Sequence, residues 1–146
     1  MDKTQLVNTV KERLAQKAQK LNELIAQTQE ANSETKSSMG DKYETSREMV
    51  AQEIRNLQRQ LSEVHNQMDA LVKLNSAPSK SVELGALVET GAGIFYISAP
   101  VGQLEVDGKK IMTLSPEAPL VKAMQGCRSG DTFSLNNSTQ KVVGIN

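Results

Sequence analysis

The chain has 146 residues, with 17 basic and 17 acidic side chains, no tryptophan and one cysteine. Zero net charge excludes a general electrostatic grip on nucleic acid, and so few aromatic residues exclude a base-stacking platform. A lone cysteine excludes an internal disulfide and fits a reducing compartment; no run approaches about 18 apolar residues, and the charged start MDKTQLVNTVKERL has no leader-like stretch, so a cytoplasmic protein that meets no membrane is expected.

The first half repeats at helical spacing. Val7, Val10, Leu14, Lys17, Leu21, Leu24, Thr28 and Ala31 follow steps of three and four, as do Tyr43, Arg47, Val50, Ile54, Leu57, Leu61, Val64, Met68 and Leu71. This spacing predicts one apolar stripe along each of two helices, and no proline interrupts either run. Ser37, Ser38 and Gly40 weaken the helix between them, and Ser38 or Asp41 can cap the second. A short break between two helices predicts an antiparallel coiled-coil hairpin, with arms of about 30 residues and roughly 45 Å. Lys17 and Thr28 in the first seam and Arg47 in the second weaken a long intermolecular coil, so a monomer is expected.

The break, ETKSSMGDKYETSREM, is dense in charge. Asp41 and Glu44 stand three apart at a helix start, so both carboxylates can point the same way. Such a pair can hold one magnesium ion loosely and leave positions for water and a phosphate. The plain alternative is a solvated turn whose acids suit the helix dipole. Tyr43 and Arg47 continue the seam and read as packing or tip-ordering residues.

Asn75 to Ser81, NSAPSKS, reads as a linker, after which the period changes. SVELGALVET, GIFYISAPVGQLEV and KIMTLS read as strands, PLVKAMQG as a short helix with Pro119 in its first turn and Gly126 at its end, and DTFSLNN with QKVVGI as a closing hairpin. The expected organisation is a hairpin over 1–75 with its tip near 33–44, a linker over 76–81, and a small antiparallel β-domain with one helix over 82–146. The fold class is α+β, with roughly four or five strands. The expected core of the second part is Leu87, Ile94, Tyr96, Ile111, Leu120, Met124, Phe133, Leu135 and Val143.

Other chemistries lack their residues. Cys127 and His65 are the only members of their kinds, and His65 sits mid-helix, away from the thiol's segment. Zinc has too few ligands. ETGAGIFY has glycines but no following Lys-Ser or Lys-Thr, so it reads as a tight β-turn and not a phosphate loop.

SPEAPLVKAMQGCRSGD, Ser115 to Asp131, resembles the FKBP-like C-terminal domain of the Gre-type transcript cleavage factors of bacterial RNA polymerase. That family has Ser-Pro-Leu, a helix ending in Leu-Gly, and Gly-Asp after a short basic turn. Ala118, Pro119, Leu120, Lys122, Ala123, Gly126, Gly130 and Asp131 fit this pattern, and Gly85, Val88 and Tyr96 fit its first strands. The family also begins with an antiparallel coiled-coil hairpin. Its cleavage-stimulating members carry Gly-Asp, two residues, then Glu-Asn at the tip. GDKYET is similar, with Gly40, Asp41 and Glu44 in that spacing and Thr45 in place of the asparagine. A register set instead on Tyr43 puts Asp41 on an alanine position and removes the acids.

The resemblance, to short Gre-like proteins of bacteria in particular, implies an accessory factor and not an enzyme. Pro119, Leu120, Lys122, Gly126, Gly130 and Asp131 mark the domain that docks on RNA polymerase. Asp41 and Glu44 help the polymerase hold Mg2+, while Ser38, Gly40, Lys42, Tyr43 and Arg47 order the tip. The nascent RNA 3′ end is met only indirectly. Two rivals remain. A modulator or inhibitor would use the same docking without a competent metal pair, and Lys36 and Lys42 favour it by adding like charge. A coiled-coil adaptor would self-associate through its helices. A prolyl isomerase lacks the aromatic pocket, with only Phe95, Tyr96 and Phe133 in the domain.

Overall fold

A computed structural model describes the backbone of residues 3–35 and 41–146 and the side chains of 3–31 and 47–146. The chain divides into two compact units, Leu14–Ala70 and Met1–Arg13 with Leu71–Asn146.

The first of these is a helical hairpin built from α1 (Lys3–Thr35) and α2 (Asp41–Ala70). In α2 the predicted stripe holds from Val50 onward, while Arg47 is exposed and the Tyr43 side chain lies outside the described residues. Leu57 and Val64 are buried, and Val50, Ile54, Leu61 and Met68 are half-buried. In α1 the stripe differs from the prediction. Leu14, Ala18 and Leu21 are buried and Ile25 and Thr28 half-buried, whereas Lys17, Leu24 and Ala31 are exposed. The steps from Val10 run four, four, three, four, three. The repeated four-step shifts the seam in the manner of a coiled-coil stutter, and it leaves the Lys17 ammonium in water, where desolvation costs nothing. The shift falls where the chain passes between units, at Arg13 and Leu14.

The second unit is a mixed sheet with the order β3-β4-β2-β1-β6-β5. Its strands are β1 (Leu87–Thr90), β2 (Gly93–Ile97), β3 (Gln103–Val106), β4 (Lys109–Leu114), β5 (Thr132–Leu135) and β6 (Ser138–Ile145), with α3 (Pro119–Met124) between β4 and β5. Two features depart from the predicted antiparallel sheet of roughly four or five strands. GIFYISAPVGQLEV breaks into β2 and β3, because the chain turns through Ser98–Gly102. The Thr113 hydroxyl holds that turn, accepting from Val101 N at 2.9 Å and donating to Gly102 O at 2.6 Å. β4 then folds back against β3 and lies next to β2, so β2 and β4 pair in parallel. The turns Asp107-Gly108 and Asn136-Asn137 have positive φ at both residues, which makes tight hairpins with the twist of their strands. The β1–β2 connection is likewise a tight turn, with Thr90 paired to Gly93, as predicted for ETGAGIFY.

One face of the sheet packs with α3. Val82, Ala86, Val88, Ile97, Phe133 and Val142 join Val121 and Met124 in a buried cluster. Val143, predicted in the core, is 56% exposed, and Val142 takes the place instead. Hydrogen bonds from Gly130 N to Val142 O and from Val142 N to Asp131 O, both 2.8 Å, set that register. Strand alternation puts Leu87, Tyr96 and Ile111 on the opposite face, also buried. The first turns of α1 belong to this unit, with Leu6 and Val10 fully buried. The Lys3 ammonium donates to Gly85 O at 2.7 Å and Asn146 O at 2.9 Å, and the Arg13 guanidinium donates to Val101 O and Gln103 O, both at 3.1 Å.

Tyr96 is fully buried and its Oη has no hydrogen-bond partner among the described residues. Burial pushes its pKa from 10.0 up to about 12. Tyr96→Phe removes a desolvated hydroxyl that bonds nothing, so stability at neutral pH is expected to hold or rise by up to about 1 kcal/mol. The folded chain holds this proton more tightly than the unfolded chain does. Wild type is therefore expected to lose stability as pH climbs from 10.0 towards 12, a loss the phenylalanine variant lacks. Urea titrations at neutral and alkaline pH check both statements.

Candidate functional site

The residues singled out by sequence fall in two places. The tip group divides at the start of α2. The helix begins at Asp41, so Asp41, Lys42, Tyr43 and Glu44 lie in its first turns. Their side chains, and Ser38 and Gly40 altogether, lie outside the described residues. Arg47 is described and exposed, so the buried seam starts beyond it, at Val50. Among the described residues no cluster of histidine, cysteine, aspartate and glutamate can hold a metal, and no helix is long and apolar enough to cross a membrane.

The second group comes together around α3 and the turn after it. Pro119 sits at the helix start, where a missing N–H costs nothing. The chain enters through a serine turn, in which Ser115 Oγ accepts from Glu117 N at 3.2 Å and Ser115 O from Ala118 N at 3.1 Å. Val121 and Met124 face the core, Leu120 is half-buried against it, and Lys122 is exposed. Gly126 follows at φ +78°, the left-handed conformation that ends a helix with little strain only in glycine. Gly130 has φ +92°.

Asp131 closes the turn on itself. Its Oδ2 accepts from Arg128 N at 2.9 Å, and its N donates to Arg128 O at 3.0 Å. Cys127 O accepts from Val82 N at 2.9 Å, and Ser129 Oγ donates to Val143 O at 3.2 Å. So Gly126, Gly130 and Asp131 set the shape of the turn, while Lys122 is exposed on the helix. Alanine at Gly126 or Gly130 is expected to cost about 1–2 kcal/mol through backbone strain, since space itself is open at both. Thermal melts of the two variants check this.

The Cys127 thiol is half-buried, and burial together with the Asp131 carboxylate pushes its pKa up, which suits an inert thiol. His65 is exposed on α2, in the other unit. Sequence reasoning missed Lys3 and Arg13. Nothing in MDKTQLVNTVKERL marks one lysine as buried, because its acceptors are backbone carbonyls more than 80 residues away. Arg128 carries a signal, being the one cation inside CRSGD, but its role depends on how Asp131 holds the turn.

No protein-family model matches the chain, and no curated protein matches it. Among solved structures, the chain is similar to the transcription factor Gfh1, with 20% identity over 93% of this chain and 92% of that one and a TM-score of 0.42. It is also similar to GreA factor homolog 1 (Gfh1) of Thermus thermophilus, with 23% identity over 93% and 94% of the two chains and a TM-score of 0.42. For Thermus aquaticus Gfh1 the values are 21%, 92%, 92% and 0.38. Identities of this size say nothing about activity.

Proposed function

We propose that the chain is an accessory factor of bacterial RNA polymerase that stimulates cleavage of backtracked RNA. Its C-terminal domain docks at the rim of the polymerase secondary channel, and its hairpin carries Asp41 and Glu44 to the active centre. There the two carboxylates, with the polymerase, help hold Mg2+, which supplies charge neutralisation and an activated water. The order of parts supports this reading. A hairpin whose returning helix starts at Asp41 precedes a sheet domain in which α3 and the Gly126–Asp131 turn carry the Gre-type pattern. A modulator that docks without stimulating cleavage is the second reading, favoured by Lys36 and Lys42 beside the acids.

A backtracked elongation complex with magnesium tests the proposal. Added protein is expected to shorten the RNA. Binding without shortening selects the modulator, and absence of binding rejects both readings.

A further inference from the structure

We propose that the sheet face opposite α3 carries a self-complementary groove through which two copies of the chain pair. The groove encloses about 230 Å3 and is lined by Leu87, Glu89, Ile94, Lys109, Gly144 and Ile145. Strand pairing fixes how these residues stand. Glu89 lies opposite Ile94 on one side and Gly144 on the other, and Ile94 lies beside Ile111, two residues on from Lys109. By strand alternation Glu89, Ile94 and Lys109 share the face of Leu87, Tyr96 and Ile111. β2 separates β1 from β4, so the acid and the base stand two strand spacings, about 10 Å, apart with Ile94 between them.

Glu89 and Lys109 are both exposed, and they are the only charged residues among the described ones that line the groove. Neither the carboxylate nor the ammonium has a hydrogen bond or an ion pair among the described residues. One acid and one base on either side of an apolar centre make a patch that fits its own copy. A two-fold axis lying in the interface over Ile94 sets Glu89 of each copy against Lys109 of the other, and Ile94 against Ile94. Each charge then meets its opposite at the spacing at which it already stands. Other occupants fit less well. The carboxylate repels phosphate, and no aromatic ring lines the groove to stack on a base. The volume falls below the roughly 300–1,000 Å3 of sites that enclose a small ligand. Gly144 keeps the groove open. Its φ lies outside the left-handed range and a Cβ there would meet nothing within 4 Å, so the strand itself tolerates a side chain at this position. The patch is small, so the dimer is weak and reversible. It is made by the sheet, and the charged positions in the helical seams do not oppose it.

Sedimentation equilibrium of the full chain, from micromolar to millimolar concentration, tests this. Wild type is expected to pass from one chain towards two as concentration rises. Glu89→Lys and Lys109→Glu are each expected to weaken association about tenfold or more, because either change sets like charges together twice in a symmetric pair. An equimolar mixture of these two variants is expected to associate as wild type does, since each copy then offers the charge that the other lacks. Gly144→Val is expected to weaken association by filling the groove, with an unchanged melting temperature. Wild type that stays a single chain at every concentration overturns the proposal. Association that neither reversal weakens, or that mixing the two variants does not restore, places the contact elsewhere and also overturns it. The polymerase reading stands in either case, because its test uses a different partner.

Discussion

Asp41→Ala and Glu44→Ala are each expected to slow RNA shortening in a backtracked complex on the order of a hundredfold, with polymerase binding unchanged. Removing one of two carboxylates halves the negative charge offered to a metal that already keeps several waters, and magnesium tolerates few lost ligands. α2 starts at Asp41, and a spacing of three is about one turn. Binding is expected to survive because the residues proposed to dock lie in the other unit. Lys42→Ala is expected to act in the opposite direction by removing like charge from the metal's vicinity. Shortening at the wild-type rate in both alanine variants rejects the carboxylate assignment and leaves docking untouched.

Lys3→Met is expected to destabilise the protein by about 2 kcal/mol, read from urea unfolding at neutral pH. Lys3 is 1% exposed and its ammonium bonds Gly85 O and Asn146 O. Methionine keeps much of the stem's packing but leaves two carbonyls without their donor. The loss is moderated because the variant no longer desolvates a charge. Burial lowers the Lys3 pKa below its ordinary 10.5, against the opposing pull of Glu83. The unfolded chain therefore holds this proton more tightly than the folded chain. The contribution of Lys3 rises with pH between the lowered value and 10.5, where the cost of the buried charge fades. The gap between wild type and Lys3→Met is expected to widen across that window. A gap that narrows contradicts a lowered pKa. Tyr96 titrates in both proteins, so its alkaline loss cancels in the difference.

Periodicity made the helices legible. Val50, Ile54, Leu57, Leu61, Val64, Met68 and Leu71 keep one step pattern, and all are buried or half-buried. In α1 the same rule failed at Lys17, because two consecutive four-steps fit the sequence as well as the regular repeat, and only the choice of Ala18 keeps a charge out of the seam. The sheet was legible strand by strand but not in its order. Whether β3 or β4 lies beside β2 depends on the long-range bonds of Thr113 to the 101–102 turn, not on local pattern. Val142 and Val143 are adjacent and chemically identical, so only pairing with Gly130 and Asp131 decides which faces inward. Around α3, Pro119, Gly126 and Gly130 were readable because helix starts and left-handed turns select residue types. The part played by Asp131 in locking Arg128 was not, since the bond joins a side chain to a main-chain N–H formed only in the folded turn.

The most direct test of the central claim places a hydroxyl-radical source on the tip. Ser38→Cys, in a Cys127→Ser background so that the label is unique, carries an iron chelate into a backtracked elongation complex. The account predicts cuts in the nascent RNA near its 3′ end and in the polymerase segments that surround the active centre. Cuts confined to the polymerase's outer surface, with the protein bound, contradict it.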